Sequence, residues 1–131
     1  MASSEKISTQ NKDWYIVEII EKLEPVARDE TNDLRRVTTW GNCHLIKAES
    51  KEEAYNKAEK IGKEGEYNFI NADKREMEWI YVGIGDVLLI HEDIEDGAEI
   101  MWTDYGAISN RRALRIARSK EILTNPDSLN F

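Results

Sequence analysis

The sequence predicts an α+β fold: a mainly antiparallel sheet of about five strands, one helix packed across it at about residues 50–63, and a C-terminal amphipathic helix at about 110–121. Three observations carry this expectation. Strand-like apolar runs recur along the chain, one strongly capped helix lies early among them, and the last segment changes to a helical, arginine-rich pattern. Strands gathered around a single early helix, with no alternation of strand and helix, indicate α+β and not a parallel α/β sheet.

The opening run Trp14-Tyr15-Ile16-Val17-Glu18-Ile19-Ile20 is apolar on both strand faces, the mark of a central strand or of one covered twice. Pro25 ends it, because proline cannot donate to a ladder. Ala27 to Asp33 reads as an exposed loop. Leu34–Thr39 and Cys43–Ala48 read as strand, with a turn or bulge at Gly41-Asn42. Ser50 and Glu53 then form a Ser-x-x-Glu capping box. The helix it opens places Ala54, Tyr55, Ala58, Ile61 and Gly62 on one face, adds Glu53–Lys57 and Glu59–Lys63 at i,i+4, and ends near Gly62 and Gly65.

Beyond the helix, Tyr67–Ile70 and Met77–Val82 read as strands joined by a turn at Asn71–Lys74. Gly83-Ile84-Gly85-Asp86 predicts a bulge or bend, after which Val87–Ile90 resumes as strand. Asp96-Gly97 is a hairpin signal ahead of a further strand at Glu99–Thr103. Ser109 or Asn110 caps the final helix, with Ala113, Leu114, Ile116 and Ala117 on one arc and Arg111, Arg112, Arg115 and Arg118 on the other. Residues 1–12 are polar and aperiodic and read as a flexible tail. The organisation expected is therefore tail 1–12, one domain at 13–105 and a helical extension at 106–131.

Composition bounds the function classes. The chain has 131 residues, 26 acidic and 18 basic, for a net charge of −8. That length suits one domain and needs no covalent staple. A lone cysteine excludes an internal disulfide, and with two histidines there is no Cys/His zinc set. No apolar run exceeds four residues, as in Val87–Ile90, far below the ~20 needed to span a bilayer. The N-terminal segment lacks the apolar stretch of a secretory signal, so a soluble cytoplasmic protein with no membrane contact is expected. The charge is uneven: residues 109–121 carry five basic side chains and one acidic, whereas residues 1–108 carry 24 acidic and 13 basic.

Four blocks in a fixed order resemble a bacterial family, domain of unknown function 4288. They are the Trp14-Tyr15 strand opening, Leu45-Ile46-x-Ala48-x-Ser50-x-Glu52-Glu53-Ala54-x-x-Lys57-Ala58-Glu59, Trp79-x-Tyr81-Val82-Gly83-Ile84-x-Asp86-Val87, and Asp96-Gly97-x-Glu99-Ile100. The resemblance spans about residues 13–105. In that family acidic residues often follow the second tryptophan, whereas Gly41-Asn42 follow Trp40 here. It implies a small bacterial cytoplasmic domain and supplies neither an activity nor catalytic residues.

The remaining constellations are weighed on their chemistry. His91, Glu92, Asp93, Glu95, Asp96 and Glu99 are metal candidates for an oxygen-preferring cation, although a charged hairpin tip that keeps a turn soluble is the commoner role. Their spacing is not that of an EF-hand. Cys43 and His44 point to opposite strand faces, and Cys43 is expected to be a small buried thiol. Gly83-x-Gly85 lacks the third glycine and helix start of a phosphate loop.

Trp14, Trp40, Trp79 and Trp102 are more tryptophans than one helix can cover on two sheet faces. They are read either as an aromatic patch for self-association or a protein partner, or as a core closed by the last helix. The face of Arg111, Arg112, Arg115 and Arg118 is read as docking on an acidic surface or as solvated. Nucleic acid is disfavoured by the acidic surroundings. No cofactor and no catalytic residue is assigned. The expected function is a non-enzymatic protein-binding or self-associating module, a homodimer being one form and an inhibitor- or immunity-type partner another. The alternatives are an enzyme or metal site at His91–Glu99 and a weak nucleic-acid binder through Arg111–Arg118.

Overall fold

A computed structural model of the chain describes residues 13–126; the tail expected at 1–12 lies outside them. The chain falls into two compact units, one running to Met101 and the other starting at Trp102. The first holds one antiparallel sheet of four strands: β1 (Asp13–Pro25), β2 (Thr38–Ala48), β3 (Tyr67–Ile70) and β4 (Glu76–Leu89), in the order β2-β1-β4-β3. Helix α1 (Lys51–Glu64) connects β2 to β3.

β1 is central, as its doubly apolar pattern requires, with β2 and β4 paired along its two sides. Its odd-numbered face carries Tyr15, Val17 and Ile19, buried with Ile46 and Ala48 of β2. Ala54 and Ala58 of α1, both fully buried, close this layer. Small side chains let the helix approach the sheet closely. At Gly62 the approach is tightest, because a Cβ there would run into the Tyr81 ring of β4. Tyr55 and Ile61, expected on the same helical face, lie at its flanks and stay about two-fifths exposed.

The helix starts where the capping box places it. Ser50 Oγ accepts from the Glu53 N–H at 3.1 Å, while the Glu53 carboxylate accepts from the Glu49 N–H, one residue before the cap. Glu59 and Lys63 pair at 3.6 Å, and Lys57 Nζ donates to the Lys47 carbonyl of β2 at 2.7 Å. Gly65 is the C-cap.

Four strands, not five, make the sheet, for three local reasons. Leu34–Val37 is not strand; β2 begins at Thr38 and runs through Gly41-Asn42 to Ala48 in one register, so no turn or bulge interrupts it. Gly41 is instead a close-approach glycine, whose missing Cβ leaves room for the Glu18 carboxylate of β1. The runs 77–82 and 87–90 belong to a single strand. The glycine-marked interruption between them survives as two register shifts against β1, between Glu18 and Ile19 and between Ile20 and Glu21.

Asp96-Gly97 does not open a hairpin. Gly97 does take the positive φ of a turn residue, at 88°, yet residues 99–103 join no sheet. The edge of β4 is partly occupied. One side is taken by β1, and on the other the outward Tyr81 N–H donates to Glu66 Oε2 and the Val87 N–H to Asp86 Oδ1, both at 2.9 Å. The turn expected at Asn71–Lys74 is present, with Asn71 Oδ1 accepting from the Asp73 and Arg75 N–H groups and Lys74 at φ 64°.

In the second unit the helix expected over 110–121 is two short ones, α2 (Asn110–Ile116) and α3 (Lys120–Thr124). Each has its own serine cap, Ser109 accepting from the Arg112 N–H and Ser119 from the Ile122 N–H. A serine is a better cap than helix interior, so Ser119 ends one helix and starts the next. Neither helix buries a residue. Among the described residues no helix is long and apolar enough to cross a membrane.

Candidate protein-binding surface

The face of the sheet bearing α1 is only half covered. Beyond the C-terminal end of the helix the same face carries Trp40 of β2, Trp79 of β4 and Tyr67 of β3. Trp40 stands edge-on to Trp79, with ring centroids 5.6 Å apart and planes at 72°, the T-shaped geometry aromatic quadrupoles favour. Tyr67 lies opposite Trp79 in register and 5.9 Å from Phe69. Trp40 is 46% exposed and Tyr67 58%, which is a large apolar area to leave in water.

The four tryptophans therefore do not form one patch. Trp40 and Trp79 come together. Trp14 lies on the opposite sheet face, half-buried, with the Lys47 ammonium 5.3 Å from its ring centroid. Trp102 belongs to the second unit and is largely exposed.

Between the end of α1 and the Trp40 region lies a cleft of about 440 Å³ lined by Ile19, Glu21, Asn42, His44, Ile61 and Gly62, with Gly65 at its rim. Asn42 Nδ2 donates to Glu21 Oε1 at 2.8 Å across its floor, and a His44 ring nitrogen lies 3.4 Å from the Asn42 carbonyl. On the other face Cys43, Leu45 and Ile16 line an apolar groove of about 290 Å³ with Ile94, Ile100 and Met101 of the segment after β4. Cys43 is exposed, contrary to the buried thiol expected. β2 is an edge strand, and α1 covers only the face to which Cys43 does not point.

His91, Glu92, Asp93, Glu95, Asp96 and Glu99 sit on the irregular, exposed stretch after β4. Glu92 Oε1 accepts from the Glu99 N–H at 3.3 Å. Among the described residues no three His, Cys, Asp or Glu side chains gather as a metal-holding group. Arg111, Arg112 and Arg115 lie on α2 and Arg118 just after it, all exposed.

The strongest electrostatic feature is one that the sequence pattern did not single out. Glu24, near the end of β1, is 1% exposed. Its carboxylate accepts from Arg35 Nε at 2.6 Å, meets Lys22 Nζ at 3.0 Å and lies 3.4 Å from Arg28 Nε. Arg28 continues to Glu30 and to Glu78 of β4, and Arg35 to Glu30. The Arg35 hydrogen bond, against the opposing effect of burial and with help from Lys22, holds the Glu24 carboxyl down at about 2. The network pins the loop between β1 and β2 to the sheet. The available signal was Glu24 itself: a charged residue just before the strand-ending proline, with three arginines, Arg28, Arg35 and Arg36, in the loop that follows.

Residues 14–102 match the model of a family described as Domain of unknown function (DUF4288). The chain belongs to that family. The matched span of this DUF4288 chain ends within one residue of its first compact unit, so the helices α2 and α3 lie beyond the family region. No curated protein and no solved structure matches the DUF4288 chain significantly.

Proposed function

We propose that the chain is a non-enzymatic protein-binding module of a bacterial cytoplasm, engaging a protein partner or a second copy of itself through the sheet surface around Trp40. The observation that carries this reading is the Trp40–Trp79 pair, with Trp40 nearly half exposed and Tyr67 beside it. Tryptophan and tyrosine in such positions are the residues from which binding hot spots are built. An acidic body with 24 acidic and 13 basic side chains over residues 1–108 favours a basic partner. That is the arrangement of an inhibitor or immunity-type protein, and it entails binding that weakens steeply with salt.

The experiment is sedimentation of the full chain over a range of concentrations, together with capture from the native cell using the wild type and Trp40→Ala as baits. A dimer or a partner that Trp40→Ala loses supports the reading, with an expected affinity loss of about 30-fold for a hot-spot tryptophan. A strict monomer with no Trp40-dependent partner overturns it.

A further inference from the structure

The two long edges of the sheet are not equivalent. The β1–β2 register keeps one pairing from Asp13–Ala48 to Leu23–Thr38 without a shift. The Trp14 carbonyl accepts from the Ile90 N–H, on the β4 side. Trp14 and Lys47 are therefore a non-hydrogen-bonded pair on the β2 side, and Lys47, Leu45, Cys43 and Gly41 turn their backbone groups outward. The Lys57 ammonium occupies the outward Lys47 carbonyl. The outward groups of Gly41, Cys43 and Leu45 have no partner among the described residues, whereas the outward Tyr81 and Val87 N–H groups of β4 are taken by carboxylates.

The open stretch of β2 lies between two walls of different chemistry. On the helix side a groove of about 420 Å³ presents Lys57 and Lys60, with Glu64 the acid in its lining, while the Lys47 side chain lies over Trp14 on the other face. The groove is a basic spot on a chain of net charge −8. On the opposite face the wall is apolar, made by Leu45 with Ile94, Ile100 and Met101. A strand laid along β2 points successive side chains alternately to these two walls.

We infer that the β2 edge binds an extended segment of a protein partner in which acidic and apolar side chains alternate. Its backbone pairs with Gly41, Cys43 and Leu45, its acids meet Lys57 and Lys60, and its apolar residues enter the groove beside Ile100. A second copy of β2 is the poorer occupant, because residues 38–48 contain no carboxylate to offer those lysines. The inference rests on the protein-binding reading above and adds the chemistry of the partner.

The test is selection of random linear peptides of about ten residues, enough to match an edge strand, on the immobilised full chain. Affinities are then measured with synthetic copies of the selected peptides. The expected peptides alternate Asp or Glu with apolar residues. Lys57→Gln/Lys60→Gln weakens them about tenfold, and Ile100→Asp does so at least tenfold.

N-methylation of the peptide at alternate positions abolishes binding in the register facing β2 and is tolerated in the other, a readout that leaves the protein unaltered. On binding, hydrogen exchange slows at the Gly41, Cys43 and Leu45 amides. Recovery of no peptide, of peptides without the acidic alternation, equal binding to the lysine variant, or tolerance of N-methylation in both registers overturns the proposal. Slowing of the same amides with rising protein concentration alone overturns it in favour of a second copy. Peptide binding retained without any Trp40-dependent partner sinks only the preceding reading. A Trp40-dependent partner without peptide binding sinks only this one.

Discussion

Glu24 carries a full charge into a site from which water is nearly excluded, and it remains charged because Arg35, Lys22 and Arg28 surround it. Its carboxyl is lowered from the ordinary 4.5 to about 2. A depressed acid contributes stability that is present above its unfolded-state value and is lost as pH falls through its folded-state value. The expected consequence is a stability that drops by on the order of 3 kcal/mol between pH 4.5 and 2, measured by urea unfolding across that window. Glu24→Gln should remove that share of the slope, leaving what the lowered Asp29 carboxyl contributes. At neutral pH it should cost about 2–4 kcal/mol, because it leaves the partly buried guanidinium groups without their counter-charge. Little of this could be read beforehand. Pro25 showed where the strand ends, but whether Glu24 faces water or two arginines depends on how the loop folds back, and loop geometry leaves no periodic trace.

At the scale of elements, α1 was legible because its cap and its period agree. Ser50→Ala is expected to cost about 1 kcal/mol through loss of the bond to the Glu53 N–H. Gly62→Ala works the other way round from propensity. Alanine should gain up to about 1 kcal/mol in a helix interior, but its Cβ would enter the Tyr81 ring and approach Ile19. A net loss of about 1–2 kcal/mol is therefore expected in thermal or urea unfolding. β1 was equally legible, from apolar residues on both faces.

The strands that misread share one cause. Gly41-Asn42 looked like a turn because glycine is a turn residue, yet here it serves a neighbour's side chain. Asp96-Gly97 had the turn residue and the following apolar run, but a hairpin also needs an open edge, and Glu66 and Asp86 already hold two outward amides of β4. Local patterns report what a segment can do; edge availability decides what it does. The candidate surface was half legible for the same reason. The tryptophan count pointed to an aromatic patch, but only pairing across three strands shows that Trp40 and Trp79 meet while Trp14 lies on the other face.

For the whole molecule, every buried apolar residue among those described lies at or before Ile90, and α2 and α3 bury none. A chain ending at Met101 is therefore expected to keep dispersed amide resonances and a thermal midpoint within about 5 °C of the full chain, a range corresponding to roughly 1 kcal/mol or less for a domain of this size. Unfolding of the shortened chain would show that the core depends on the C-terminal helices.

The unequal edges of the sheet also bear on how large any assembly can become. Fibres grow by adding sheet edge to sheet edge, and each new member must leave a fresh edge behind it. Here two outward amides on the β4 side are already held by carboxylates, and the strand beyond it, β3, is only four residues long. A sheet whose second side offers so short a strand favours a single addition over continued growth. The short β3 edge is thus the feature that opposes filament growth from the unpaired backbone of β2.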